Sequence, residues 1–152
     1  WFNNTVFIIT ADHCASSAGS TDIPLDQYHI PALIYAPGFI KPSVNKTLIS
    51  QIDLMPTVFG LLHFNYKSHF FGQNVLSNSY HPRAFAATYQ NLGYIENNAM
   101  VILSAGHRQQ QFKLLSGKYS LTTGAEQRNI DKKILYHAIA NYQCAGDVQK
   151  RR

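Results

Sequence analysis

Asn4-Thr5-Val6-Phe7-Ile8-Ile9-Thr10-Ala11-Asp12-His13 runs an unbroken stretch of β-branched and aromatic residues straight into a carboxylate and an imidazole. Thr5 to Thr10 has the composition of a strand buried on both faces, and such strands belong mostly to parallel sheets covered by helices. The small, polar stretch Cys14 to Asp22 marks the loop that follows. α/β proteins place their ligands outside the carboxyl ends of such strands, where Asp12 and His13 stand. Both are competent ligands for Zn²⁺ or Mn²⁺, and a divalent ion there would polarise a phosphoryl or sulfuryl oxygen. On the dipeptide alone the plainer reading, a turn cap at Asp12 and a partly buried histidine at His13, is the stronger. The strand has almost no lead-in after Trp1, which reads as a fragment whose neighbouring strands lie upstream.

Further along, Pro31-Ala32-Leu33-Ile34-Tyr35-Ala36 is again continuously apolar and stops at Pro37-Gly38, so a second central strand is expected. Ile52, Met55, Val58, Phe59 and Leu62 follow helical spacing, with Asp53 placed to cap the first turn and Pro56 where a missing N–H costs little. A helix from about Leu54 to Leu62 follows. After an irregular, aromatic loop from His63 to Pro82, short strands are expected at Ala84 to Tyr89, Met100 to Ser104, Gln111 to Ser116 and Tyr119 to Thr122. Gly117-Lys118 reads as a hairpin turn and Ala105-Gly106-His107-Arg108 as the turn before it. From Asp131 to Tyr142, Ile134, Ala138 and Tyr142 recur four residues apart, the pattern of an amphipathic helix.

With 45% hydrophobic and 12% aromatic residues over 152 positions, the composition is globular rather than disordered. The formal charge of +5 is scattered, and only Lys150-Arg151-Arg152 forms a run, so nucleic acid is not an expected partner. Cys14 and Cys144 make neither a CxxC pair nor a disulfide framework. No apolar stretch reaches the roughly 18 residues that span a bilayer, and the chain as given is expected to be soluble. Ser16 and Ser17 lack the Gly-x-Ser-x-Gly elbow of a serine hydrolase. Cys14 is read as a small buried residue rather than a nucleophile, because adjacent side chains at a strand end point apart.

Four segments in order resemble the alkaline phosphatase and sulfatase superfamily. Asn4 to His13 is similar to its final metal-binding strand, and Tyr28-His29-Ile30-Pro31-Ala32-Leu33-Ile34-Tyr35-Ala36-Pro37-Gly38 to the strand that follows. Ser50 to Leu62, with Asp53-Leu54-Met55-Pro56-Thr57 at its start, resembles the next helix, and Gly72-Gln73-Asn74-Val75-Leu76 the segment after it. Together they cover residues 4 to 77. Cys14 stands where arylsulfatases have glycine, which resembles more closely the lipoteichoic-acid-synthase and phosphoglycerol-transferase branch.

The resemblance implies an α/β fold: part of a central, mostly parallel sheet with helices, then a small antiparallel sheet and a C-terminal helix. Residues 1–82 would be the C-terminal half of the catalytic α/β domain, and 83–152 the sheet and helix that complete it. Asp12 and His13 would bind a divalent metal ion, Mn²⁺ first, with Zn²⁺, Ca²⁺ or Mg²⁺ as alternatives. An acidic ligand and a hydroxyl nucleophile would come from earlier in the parent chain, leaving the metal site incomplete here and the fragment inactive alone. His29, at the entry to the second strand, is a candidate for substrate contact or for supporting a metal ligand; His63, His69, His81 and His107 fall in loops and turns without an assigned role. The implied partners are a phosphate- or sulfate-ester substrate, a lipid or glycan head group among the candidates, and the rest of the parent chain. The parent would act outside the cytoplasm, at the periplasm or cell surface, anchored by upstream membrane helices. A noncatalytic binding or interaction module that keeps the fold is the alternative. The aromatic loop around Phe64, Tyr66, Phe70 and Phe71 is read as facing the missing half of the domain rather than a substrate.

Overall fold

The computed structural model describes residues 1–14, 23–116 and 121–150. Ser16, Ser17, most of the polar stretch to Asp22 and the Gly117-Lys118 turn therefore lie outside the described residues. β1 (Phe7–Thr10) and β2 (Ala32–Tyr35) form one two-stranded sheet. A short 3-10 turn, Gln51–Asp53, leads into α1 (Leu54–Leu61). Then come β3 (Ala84–Ala87), β4 (Asn91–Glu96), β5 (Ala99–Ser104), β6 (Gln109–Ser116) and β7 (Leu121–Glu126), followed by α2 (Lys132–Lys150).

The α/β class, the order of its parts and the terminal helix are those expected. Within the first sheet, however, β1 and β2 pair antiparallel, Phe7 opposite Tyr35 and Thr10 opposite Ala32. A parallel return needs a crossover of a dozen or more residues, usually a helix; the described part of residues 11–31 offers only the 3-10 turn Leu25–Gln27. The expectation of strands buried on both faces is also corrected, since Ile9 is 59% and Leu33 55% exposed. An apolar run makes a strand, but only a second layer buries it.

The second sheet has that layer on both sides. Its five strands follow one another as an antiparallel meander in chain order. Alternate residues of β5 enter two cores: Met100 and Ile102 pack with Ile23, Leu25, Ala86, Ile95 and Leu114, while Ala99 and Val101 pack with Tyr94 and with Ile134 and Ala138 of α2. Each large apolar side chain buried this fully contributes about 1.5–3 kcal/mol. Gly93 makes room for Ile23, whose Cδ1 lies 2.7 Å from where a Cβ would stand.

β4 is absent from the strands expected in the sequence. Asn91 and Gly93 are poor strand formers, and the signal that does exist is the following turn: Asn97 and Asn98 sit at φ 50° and 59° between Glu96 and its partner Ala99, the two-residue hairpin geometry that asparagine tolerates. β7 runs to Glu126, further than Thr122, by pairing along β6. The turn at Ala105–His107 is where it was expected. Asp131 starts α2 by accepting from the backbone N–H groups of Lys133 and Ile134 at 2.8 and 3.3 Å. The helix continues past Tyr142 to Lys150 on an almost wholly exposed surface. No helix among the described residues is long and apolar enough to cross a membrane.

Candidate functional site

At the end of β1 the chain leaves its ladder under control. Thr10 Oγ1 donates to the Pro31 carbonyl at 3.1 Å, and Gln51 Nε2, from the turn that opens α1, donates to the Ala11 carbonyl at 3.0 Å. Fixed on both sides, the strand end presents Asp12 and His13 to solvent, 87% and 61% exposed. The His13 backbone N–H donates to Asp12 Oδ1 at 2.9 Å. His13 Nδ1 lies 2.7 Å from the Cys14 carbonyl. A carbonyl can only accept, so in the neutral ring Nδ1 carries the proton and Nε2 keeps its lone pair. That lone pair stands 3.6 Å from Asp12 Oδ2, close to the separation of two ligands on one tetrahedral ion at roughly 2.0–2.2 Å from each. The donor set therefore fits a divalent ion; two protein ligands do not by themselves complete a site.

Cys14 is occupied locally: its thiol donates to the His29 carbonyl at 3.3 Å. This brings His29, expected as a supporting or substrate-contacting residue, beside the pair. The connection runs through its backbone, and its side chain is exposed.

Behind this edge lies Asp53, fully buried; expected as the cap of α1, it makes no side-chain cap hydrogen bond to that helix and instead closes a capping box with Ser50 around the 3-10 turn. It accepts from the Ser50 N–H at 2.9 Å and the Gln73 N–H at 2.8 Å. Arg83 clasps it with two guanidinium nitrogens at 3.1 and 3.0 Å, and the Tyr80 hydroxyl donates at 3.1 Å. Burial, then the Asp53 charge, drives the Tyr80 phenol far above its ordinary range. Arg83 also donates to the Phe71 carbonyl at 3.0 Å. The approach is so close that a Cβ on Gly72 would run into the Ile52 carbonyl. Drawing Asp53 inward turns the buried face of α1 toward Leu54, Thr57 and Val58, and Ile52 and Met55, expected on that face, are 46% and 43% exposed. Arg83 carried no signal in the sequence, since nothing in spacing links it to Asp53.

A third polar cluster joins His81, Glu96 and His137. In the sequence His81 reads as a loop histidine, and neither Glu96 nor His137 stands out there. Burial raises the Glu96 carboxyl, but hydrogen bonds from His137, Tyr94 and His81 outweigh it and hold the group below the usual carboxylate range. His63 and His107 sit in turns in the left-handed conformation. Phe64, Tyr66 and Phe70 gather around Phe59 of α1 with ring centroids 5.1–6.0 Å apart, yet each remains 44–56% exposed.

Comparison with known proteins locates these features. Residues 2–64 match the sulfatase family model, a span that holds Asp12, His13, His29 and Asp53. An endo-4-O-sulfatase of Bacteroides thetaiotaomicron is 41% identical over 64 residues, which cover 38% of this chain and 13% of that protein. A crystal structure of a protein in the alkaline phosphatase superfamily from Vibrio parahaemolyticus superposes with a TM-score of 0.85 at 25% identity, covering 99% of this chain and 36% of that one. The chain thus spans about a third of the solved neighbour and about an eighth of the curated relative. The resemblance read from the sequence holds at the level of the superfamily: the first part of the chain is sulfatase-like in sequence, and the whole has an alkaline-phosphatase-superfamily fold.

Proposed function

We propose that this chain is the C-terminal part of a divalent-metal-dependent, sulfatase-like enzyme acting on sulfate or phosphate esters, and that Asp12 and His13 contribute two of its metal ligands. The observation that carries this reading is the strand-end pair itself, in which the Cys14 carbonyl fixes the His13 tautomer and leaves Nε2 aimed beside the Asp12 carboxylate. A carbonyl that orients a metal-binding histidine through its other ring nitrogen is a regular feature of such sites. When bound, a divalent ion supplies Lewis-acid polarisation of the ester oxygen and lowers the pKa of a coordinated hydroxyl; Mn²⁺ and Zn²⁺ suit a carboxylate with an imidazole. The residues of this chain hold that position, while the remaining ligands and the nucleophilic hydroxyl come from elsewhere in the parent chain. The exposed apolar faces of β1 and β2 support that division, with the parent's remaining strands as their cover. On this reading the isolated chain turns over no ester.

The sulfatase relative favours sulfate-ester hydrolysis as the reaction. Phosphoglycerol transfer to a lipid or glycan hydroxyl is the alternative, resting on Cys14 after the Asp-His pair. The parent is proposed to act outside the cytoplasm and to be anchored by membrane helices in another part of its sequence. In the parent enzyme, Asp12→Ala and His13→Ala are expected each to lower kcat/KM by about 10³-fold, as befits several kcal/mol of charge stabilisation, with unchanged circular dichroism. Full activity in either variant would sink the assignment of Asp12 and His13 as ligands. Assays on aryl sulfate, aryl phosphate and glycerophosphate esters separate the two reaction classes.

A further inference from the structure

Glu96 ends β4 with its side chain 1% exposed, and a carboxylate buried so deeply requires compensation. Two imidazoles supply most of it. His81 Nε2, from the segment before β3, lies 2.9 Å from Oε1; His137 Nδ1, from the second turn of α2, lies 2.8 Å from Oε2. The Tyr94 hydroxyl donates to Oε2 at 3.0 Å and Asn97 Nδ2 to Oε1 at 3.3 Å, so the carboxylate is oriented from behind. The imidazole planes are nearly perpendicular, 87° apart with centroids at 5.7 Å, so the rings meet edge to face rather than stacking.

We infer that His81, Glu96 and His137 form a binding site for a divalent transition-metal ion, Zn²⁺ first, that fastens α2 to the end of strand β4 in the five-stranded sheet. One ligand atom from each residue lies within 4.8 Å of the others. Ligands at roughly 2.0–2.1 Å on a tetrahedral ion stand about 3.3 Å apart, so small side-chain rotations close the set. Two imidazoles and one carboxylate are the donor set of open three-ligand zinc sites, with a water in the fourth position. They suit Zn²⁺ far better than Mg²⁺ or Ca²⁺, which take oxygen ligands. Access is built in: His81 and His137 are 46% and 36% exposed above the buried carboxylate. The hydrogen bonds from Tyr94 and Asn97 can persist with the ion present, as the outer contacts of a ligating carboxylate usually do. The site shares no residue with Asp12 and His13 and does not rest on the proposed reaction.

The test is equilibrium dialysis of the chain carrying Asp12→Ala and His13→Ala against Zn²⁺ alone, with metal counted by mass spectrometry. One zinc per chain is expected, with a Tm that rises on adding zinc and stronger hydrogen-exchange protection in α2. Adding His81→Ala, at a half-exposed position where Tyr94 and His137 still hold the carboxylate, should weaken zinc binding at least about tenfold and abolish the Tm rise while the fold persists. His137→Gln serves as the second variant. If the Asp12→Ala, His13→Ala chain binds no zinc, or if His81→Ala and His137→Gln both leave affinity unchanged, the cluster is a hydrogen-bonded clasp only and the inference fails. Zinc bound by the native chain and lost in the double variant would overturn it in the same way, while supporting the strand-end site.

Discussion

Ile9 of β1 faces Leu33 of β2 across a ladder, and both side chains are more than half exposed. Met100 and Val101 of β5 come from an equally apolar run, and both are buried, on opposite faces of their sheet. The difference lies in neighbours, not composition. β5 is covered by Ile23 and Leu25 on one side and by α2 on the other, while among the described residues neither layer covers β1 and β2. The same contrast runs through the polar chemistry. Asp12 and His13 are adjacent in sequence and open to solvent, whereas Asp53–Arg83 and His81–Glu96–His137 are assembled from distant segments and closed around buried carboxylates. The exposed sheet ends in the Asp12-His13 pair, and the covered sheet holds both buried apolar clusters.

Asp53→Ala puts the most strain on this contrast, because Asp53 ties the helix after the motif-bearing strands to Arg83 at the edge of the second sheet. Removing it leaves a buried guanidinium without its partner, and unfolding in urea should register a loss of about 3–5 kcal/mol. A loss under about 1 kcal/mol would mean that the two regions hold together through apolar packing alone.

Paired truncations sharpen the contrast directly. Met100→Ala, at a site 1% exposed, is expected to cost about 2–5 kcal/mol. Ile9→Ala in this chain should stay within about 0.5 kcal/mol of the parent sequence. Equal costs at the two positions would erase the distinction between a covered and an uncovered sheet.

The smallest expected effect is a pH dependence in the covered region. Tyr142 of α2 donates to the Gly93 carbonyl at 2.7 Å, and burial pushes its phenol up to about 12. An unfolded tyrosine ionises near pH 10, so the folded state resists ionisation of this group. Its contribution to stability is intact below about pH 10 and is lost as the pH rises from there toward about 12. Unfolding midpoints measured from pH 9 to 12 should fall more steeply for the native chain than for Tyr142→Phe. Parallel slopes would show that the phenol is not held by the sheet.

Legibility followed the range of the signal. Thr5 to Thr10, the helix beginning at Leu54 and the Ile134-Ala138-Tyr142 stripe are local patterns, and each produced the element expected. Asn91 to Glu96 did not, because Asn91 and Gly93 obscured a strand that exists by pairing on both sides with β3 and β5. Asp12-His13 stood out as a candidate because a strand end places a carboxylate and an imidazole side by side. Arg83, Glu96 and His137 could not, since each gains its meaning from a partner 30 to 41 residues away.

The sequence by itself determined the strand, turn and helix preferences, the order of the superfamily-like segments, and the adjacency of Asp12 and His13. These depend on covalent neighbours and on the rotamer and backbone preferences of single residues. Tertiary structure alone decided that β1 and β2 pair antiparallel, that Asp53 faces inward to Arg83, and that His81 and His137 meet on Glu96. Those outcomes depend on which surfaces exclude water from one another, and burial is what compels a carboxylate to find partners wherever in the chain they lie.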